Sequence, residues 1–199
     1  MSSKQRRERL KAEVHKSILV AAMSIIKNEG AEALSIRKIA DIIEYSPTII
    51  YAYFLNKEAV LIELARQGYT MLIEITQNRL ALVSDPKERL EVMLSAYIQF
   101  ALNENELYQL MYTTGSSVPN VEKSFPALAS FMNLYREQMQ LITGGTLLED
   151  TFYSNYLVCV SFIHGLALIN RYYKDIDPEM NNIVFKKAVK GIISTIEFS

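Results

Sequence analysis

Hydroxyl-bearing, aromatic and basic side chains are concentrated between residues 35 and 57 of this 199-residue chain. The set comprises Ser35, Arg37, Lys38, Ser46, Pro47, Thr48, Tyr51, Tyr53 and Lys57. Hydroxyls and cations donate hydrogen bonds to phosphate oxygens, and short side chains at the start of a helix can reach base edges. These residue types favour recognition of nucleic acid.

The local pattern predicts two short helices around these side chains. Ser35 can cap a helix with apolar residues at helical spacing, and 44–46 form a break. Ser46 followed by Pro47 is a preferred helix start, and the second helix runs about two turns to Phe54. Such a pair has the geometry of a helix-turn-helix, whose second helix enters the DNA major groove. A buried helical hairpin with tyrosines in its core is the alternative, and spacing alone does not separate the two.

A resemblance to a known family separates them. The pattern S-x-R-x-I-A, a turn, and S-x-x-x-x-Y-x-Y-F-x-x-K-E-x-x-L over 35–61 resembles the DNA-binding signature of the TetR/AcrR family of bacterial regulators. The resemblance implies that Pro47 and Thr48 approach bases. It implies that the phosphate contacts come mainly from Ser35, Arg37, Lys38, Tyr51, Tyr53 and Lys57. Glu44 stands where the family's turn normally has glycine, and a left-handed backbone there would cost about 1 kcal/mol.

The charge is unevenly distributed along the chain. Residues 1–57 contain ten Lys/Arg against six Asp/Glu, a net of +4, whereas 58–199 contain eleven against sixteen, a net of −5. The densest positive run is Lys4, Arg6, Arg7, Arg9 and Lys11. A basic head on an acidic body suits a protein that touches DNA at one end. The run itself is open to two interpretations, a frayed terminus and a DNA-contacting arm.

The sequence contains little that could support catalysis or a metal. The single Cys159 excludes an internal disulfide and fits a cytoplasmic protein. Cys159 and His164 are five residues apart, so on one helix they point in different directions. The two histidines of the chain make a poor metal set, and no glycine-rich phosphate loop occurs. We expect no enzyme activity, no metal and no cofactor.

Apolar periodicity predicts an all-α chain of about nine helices, with a three-helix head on a larger helical body. The expected helices span about 10–29, 36–43, 47–53, 57–82, 86–101, 104–112, 124–142, 149–174 and 178–196, with a loop over 113–120. We assign 1–57 to DNA binding and 58–199 to effector binding and dimerisation. Residues 151–170 lack charged residues, but their asparagines, histidine and tyrosines are too polar for a lone membrane span. This helix is expected to be buried by protein on most sides.

The body is rich in tyrosine, phenylalanine and methionine, which suit a pocket for small organic molecules. The candidate lining residues are Tyr97, Phe100, Tyr108, Met111, Tyr112, Phe131, Met132, Tyr135, Met139, Tyr156, Phe162 and His164. An ordinary helical core containing the same residues is the alternative for each of them. The segment around His164 and Gly165 resembles the tryptophan-histidine-glycine signature of one TetR subgroup, although the chain has no tryptophan.

The resemblance also implies an assembly and a mechanism. The last two helices would form a homodimer through Leu157, Val158, Phe162, Leu166 and Ile169 with Ile183, Val184, Ala188, Ile192 and Ile196. Effector binding in the body would move the helix that starts at Lys57 and change the spacing of the two heads. The expected function is a cytoplasmic, ligand-responsive repressor on a palindromic DNA operator. A helical small-molecule-binding protein without DNA recognition is the alternative.

Overall fold

The computed structural model describes residues 2–115, 124–173 and 175–199. These residues contain nine α-helices and no strand, which confirms the all-α prediction. The helices are α1 (Ser3–Glu29), α2 (Ile36–Ile42), α3 (Pro47–Tyr51), α4 (Lys57–Leu80), α5 (Pro86–Asn103), α6 (Asn105–Gly115), α7 (Pro126–Thr143), α8 (Glu149–Tyr172) and α9 (Pro178–Glu197), with one 3-10 turn at Ala31–Ala33. Residues 116–120 of the predicted loop, and Lys174, lie outside the described residues.

The described part of the chain forms two compact units. One contains 2–67 and 109–115, and the other contains 68–108, 124–173 and 175–199. Helices α4 and α6 therefore each contribute residues to both units. The assignment of function to either side of residue 57 stays a prediction.

The first unit is built on the apolar stripe of α1. Ile18, Ala22 and Ile25 are fully or almost fully buried, and α1 packs on α2, which in turn packs on α3. Two caps fix where the later helices begin. The Ser35 hydroxyl accepts a hydrogen bond from the Lys38 amide (3.2 Å), and the Asn56 side chain accepts one from the Ala59 amide (2.9 Å).

Helix α1 begins seven residues before the position that its apolar stripe predicts. Ser2 and Gln5 form a capping box, in which each side chain accepts a hydrogen bond from the other residue's backbone amide. The periodicity of apolar residues could not reveal this start, because every residue from 2 to 13 is exposed. The terminus is therefore helical rather than frayed.

The second unit has α5 at its centre, in contact with α7, α8 and α9. Asp85 caps α5 and Asp177 caps α9, each followed by a proline at the first helical position, as the sequence predicts. Arg89 ties α5 to its neighbours. Its guanidinium donates to the carbonyls of Leu80 (3.0 Å) and Val83 (2.9 Å) and to the buried Gln138 side chain (2.9 Å).

Helix α8 is long and apolar enough to cross a membrane by length and composition, with a mean hydropathy of 1.5 in its most apolar window. Only 39% of that window is buried, on a single face that includes Phe152, Tyr156 and Cys159. The expectation that protein buries α8 on most sides is wrong. Leu157, Val158 and their neighbours on the other side are exposed.

Candidate nucleic-acid interface and aromatic cluster

Helix α3 exposes one side and buries the other. Ile50 is 0% exposed and Phe54, just beyond the helix, is buried, so these two side chains anchor it in the first unit. Pro47, Thr48 and Tyr51 face outward, and Tyr51 is 57% exposed. The candidate base-reading residues are therefore accessible, as a helix that enters a groove requires.

The turn between α2 and α3 contains a non-glycine residue in a left-handed conformation. Glu44 has φ 58°, and among the described residues it is the one residue other than glycine with positive φ. The Tyr45 amide donates to the carbonyl of Ala40, five residues earlier (3.0 Å), which is the 6→1 hydrogen bond of a Schellman motif. The turn thus keeps the geometry that normally calls for glycine, and it bears a strain of about 1–2 kcal/mol.

The other residues predicted to contact DNA differ in their exposure and in whether their side chains already have a partner. Arg37 is exposed, and the Ser46 side chain makes no capping hydrogen bond. Lys38 is held by Glu29, with 2.6 Å between its ammonium nitrogen and the carboxylate. Lys57 is half-buried at the first position of α4. A phosphate would compete with Glu29 for Lys38. Arg37 and Lys57 form no ion pair among the described salt bridges, so they can contact phosphate without such competition.

His15 of α1 lies against the chain just after α3. Its ring is stacked on Phe54, with centroids 5.1 Å apart and planes 26° apart, and it lies 6.4 Å from the Tyr53 ring. Sequence reasoning did not single out His15. Its position three residues before the buried Ile18 is the signal that could have done so.

Aromatic rings in the second unit form one continuous cluster. Neighbouring ring centroids are 5.2 to 6.3 Å apart, mostly with tilted or edge-to-face planes. The cluster contains Phe152, Tyr156, Tyr135, Phe131, Tyr97, Tyr108 and His164. Six of the predicted pocket residues meet in this way. The seventh ring, Phe152, was missed, although it lies four residues before Tyr156 on the same helical face.

The other predicted pocket residues lie apart from these contacts. Phe162 pairs with Phe185 of α9, with centroids 6.1 Å apart. Phe100 and Met139 are buried on α5 and α7, and Met132 is half-buried. Met111 and Tyr112 belong to the residues of α6 in the first unit. Sequence spacing identified α5, α6, α7 and α8 as the helices that contribute to the cluster.

Burial keeps the cluster uncharged. It raises the pKa of Tyr108 to about 12 and the pKa values of Tyr97 and Tyr135 well above the ordinary value. Burial also raises the pKa of the Cys159 thiol to about 12 and lowers that of His164 to about 4. The cause is common to all five, since each charged form would lose hydration inside the fold. The thiol is a poor nucleophile in this state.

The polar tips of the cluster differ in how they are satisfied. The Tyr108 hydroxyl shares a short hydrogen bond with Nδ1 of His164. The Tyr135 hydroxyl, by contrast, is completely buried and has no hydrogen-bond partner in the described part of the fold. An unpaired buried hydroxyl costs about 1–3 kcal/mol. Tyr135 therefore has an unused hydrogen-bond donor inside the fold.

The predicted dimer stripe divides into two sets. Leu157, Val158 and Ile169 of α8, with Ile183 and Val184 of α9, are exposed and leave an apolar surface uncovered. The predicted residues Leu166, Ile192 and Ile196 are instead buried within the second unit, and Phe162 and Ala188 are half-buried. Intrachain packing thus uses one side of the stripe.

A family model matches the N-terminal part of the chain. Residues 18–64 match the bacterial regulatory proteins of the tetR family. The match covers the C-terminal part of α1, all of α2 and α3, and the first turns of α4. No curated relative matches the chain by sequence.

Several solved structures have the same fold over most of the chain. A TetR family transcription regulator from Marinobacter aquaeolei VT8 has a TM-score of 0.70 and 19% identity over 92% of this chain and 97% of that one. PfmR from Thermus thermophilus, also a TetR family regulator, has 0.63 and 20% over 87% and 97%. The regulator FadR from Bacillus subtilis, in complex with stearoyl-CoA, has 0.70 and 17% over 90% and 98%.

The strained turn gives a first prediction. Replacing Glu44 with glycine should raise the free energy of unfolding by about 1 kcal/mol relative to Glu44→Ala, because only glycine adopts positive φ without strain. Urea denaturation of the two variants at equal protein concentration measures this difference. The alanine variant is the control for loss of the carboxylate. Equal stability of the two variants would contradict a left-handed backbone at this position.

His164 gives a second prediction. Its pKa is near 4 in the folded protein and near 6.5 when unfolded, so between these values the unfolded chain binds the extra proton. The stability of the wild type relative to His164→Gln should therefore be greatest above pH 6.5 and fall as the pH falls towards 4. Denaturation of both proteins across this range gives the difference, in which shared carboxylate titrations cancel. A difference that stays constant or grows on acidification would refute the lowered pKa.

Proposed function

The chain belongs, through its N-terminal residues, to the tetR family of DNA-binding transcriptional regulators, and we propose that it is a homodimeric repressor released from its operator by a small organic effector. The observation that carries the proposal is the division of α3 between a buried anchor, Ile50, and an exposed face with Pro47, Thr48 and Tyr51. In this arrangement Thr48 and Pro47 approach base edges, while Arg37, Tyr51 and Lys57 hold phosphates. The protein would act in the cytoplasm, where the DNA is.

The uncovered apolar surface of α8 and α9 supports dimer formation. Leu157, Val158, Ile169, Ile183 and Val184 are exposed in a single chain, and contiguous apolar surface of this kind commonly marks an interface. A two-fold axis through this surface would present two copies of α3. Each copy reads only a few base pairs, so the pair reads a palindrome whose half-sites are about one helical turn, or a multiple, apart.

The aromatic cluster supports an uncharged effector. Its members are neutral at physiological pH. Arg136 lies over the Phe152 ring (3.7 Å to its centroid) but forms an ion pair with Glu149 (2.8 Å), so a buried anion would have to compete with that carboxylate. The Tyr135 hydroxyl lacks a partner in the described part of the chain and offers a hydrogen bond to a carbonyl, ether or hydroxyl oxygen.

We therefore assign to the effector a largely apolar or aromatic body with one such oxygen acceptor. The apolar part of the effector would replace some of the contacts between the rings of the cluster. Its oxygen would accept a hydrogen bond from the Tyr135 hydroxyl. FadR from Bacillus subtilis, which resembles this chain in fold, was solved in complex with stearoyl-CoA.

Release from DNA requires that the effector prefer one arrangement of the protein over another. A coupling free energy of about 1–3 kcal/mol would weaken operator binding roughly 5- to 150-fold. The proteins that this chain resembles are more often repressors than activators, and this supports the sign chosen here. A helical binding protein without DNA recognition would leave the exposed residues of α3 without a role.

The division of labour around α3 gives a third prediction, tested on a duplex selected from random sequences by the wild type. The selected consensus should be two-fold symmetric. Lys57→Gln should weaken binding to all duplexes and reduce the slope of log affinity against log salt by about 2, because each protomer of the dimer loses one phosphate contact. Thr48→Ala should instead change the preferred base at one position of each half-site.

Lys16→Gln serves as the matched control, since Lys16 is an exposed lysine of the same unit on the outer side of α1. It should leave both the salt slope and the consensus unchanged. The proposal fails if the wild type selects no duplex at low salt, or if neither Lys57 nor Thr48 affects binding. A consensus without two-fold symmetry would contradict the proposed homodimer but not DNA binding by α3.

Tyr135 gives a fourth prediction. Tyr135→Phe should raise the free energy of unfolding by about 1 kcal/mol, because the unpaired hydroxyl is removed and the ring is kept. The same change should weaken the response to effector. The response is measured as the shift in melting temperature with a panel of uncharged aromatic ketones, beside matched aromatic carboxylates that should give none.

Tyr153→Phe, which removes a hydroxyl from an exposed tyrosine of α8, is the control and should alter neither quantity. A Tyr135→Phe protein that loses stability would mean that the hydroxyl is already paired. A Tyr135→Phe protein that gains stability but responds fully to the ketones would show that the Tyr135 hydroxyl does not contact the effector.

A further inference from the structure

We propose that the N-terminal extension of α1 is a second DNA-contacting element, which binds phosphates flanking the bases reached by α3. The extension is residues 3–13, and its contacts would come from Lys4, Arg7 and Lys11. The inference rests on the proposed DNA binding by α3 and adds to it a sequence-independent contact on each half-site.

The extension is a helix that packs on nothing in the described part of its own chain. All residues from 2 to 13 are exposed, whereas α1 contributes buried side chains from Ile18 onward. A capped helix of this kind gains no stability from core packing, so its side chains are free for a partner. Its first turn contains no acidic residue, and 3–13 hold five Lys/Arg against two Asp/Glu. This excess of positive charge favours an anionic partner.

The three cations lie on the face of α1 that turns towards the helix-turn-helix. They are followed at spacings of three or four residues by the half-buried His15 and then by the buried stripe of the unit, so that one face comprises Lys4, Arg7, Lys11, His15, Ile18, Ala22 and Ile25. Its point of contact beside α3 is known, because His15 stacks on Phe54 and lies next to Tyr53. The basic stripe thus continues outward from a proposed phosphate contact. Glu8 stands at the edge of this face and is its one negative charge.

The opposite face of the extension has a different character. Arg6, Arg9 and Lys16 alternate with Glu13, and Arg9 forms an ion pair with Glu13 (3.2 Å). Exposed residues continue this face along α1, among them Val20 and Ser24. The cations of the extension are therefore of two kinds, those in line with the helix-turn-helix and those directed to solvent.

The length of the extension fits the task. Eleven residues separate Lys4 from His15, which in an α-helix is about 16 Å. The major groove is about 12 Å wide, so a helix that leaves the unit beside Tyr53 can reach phosphates beyond the groove edge. Such contacts add affinity and salt dependence without reading bases.

The experiment compares two double variants of the full-length protein on the duplex that the wild type selects. Arg7→Gln with Lys11→Gln should weaken binding by roughly tenfold or more at about 0.1 M salt and reduce the salt slope by about 3–4, since each protomer loses two cations, with an unchanged consensus. Arg6→Gln with Arg9→Gln removes the same charge from the same turns of the solvent-directed face, and should change the slope by less than about 0.5. Both variants keep all buried residues, and circular dichroism checks that the helix persists.

Equal effects of the two double variants, whether large or absent, would overturn the inference, because they would mean diffuse attraction or none. A changed consensus would do the same, since base reading would then be involved. A wild type that binds no duplex would instead refute DNA binding by α3, and with it both proposals. The two failures are thus distinguishable in one titration series.

Discussion

The recognition surface depends on the burial of one isoleucine. Helix α3 has five residues, and an isolated helix of that length is unstable in water because nucleation costs more than one turn returns. The buried side chains of Ile50 and Phe54 hold α3 against the rest of the first unit. The cap of α2 and the Schellman turn after it fix where α3 begins. The side chains that face outward are therefore positioned by tertiary packing, not by the helix that carries them.

The two units handle polar groups in opposite ways. The first keeps its cations at or near the surface, where hydration lets them remain charged, and Lys38 forms an ion pair with Glu29 there. The second buries tyrosines, a thiol and a histidine until each is neutral. Since desolvation penalises charge, the cluster favours neutral groups with directional hydrogen bonds. The contrast supports the proposal of phosphate contacts for the first unit and of an uncharged organic effector for the second.

Sequence reasoning succeeded where local signals suffice and failed where tertiary contacts decide. Caps and prolines gave the starts of α3, α5 and α9 correctly, because these signals act within one turn. The start of α1 was misjudged, since its first two turns have no apolar residue in the core. Sequence reasoning did not separate the exposed Leu157 from the buried Leu166, because on an apolar helix such as α8 periodicity does not mark which side is buried.

A net charge of −1 does not oppose DNA binding by this chain. At about 0.1 M salt the Debye length is near 10 Å, so a phosphate responds to the charges close to it and not to the total. Residues 1–57 carry a net +4, and five of their ten cations lie between residues 4 and 11. If only α3 and its immediate flanks touched DNA, half of the positive charge of that segment would have no part in binding. The proposed DNA contact of residues 3–13 would bring part of this charge within range of the phosphates.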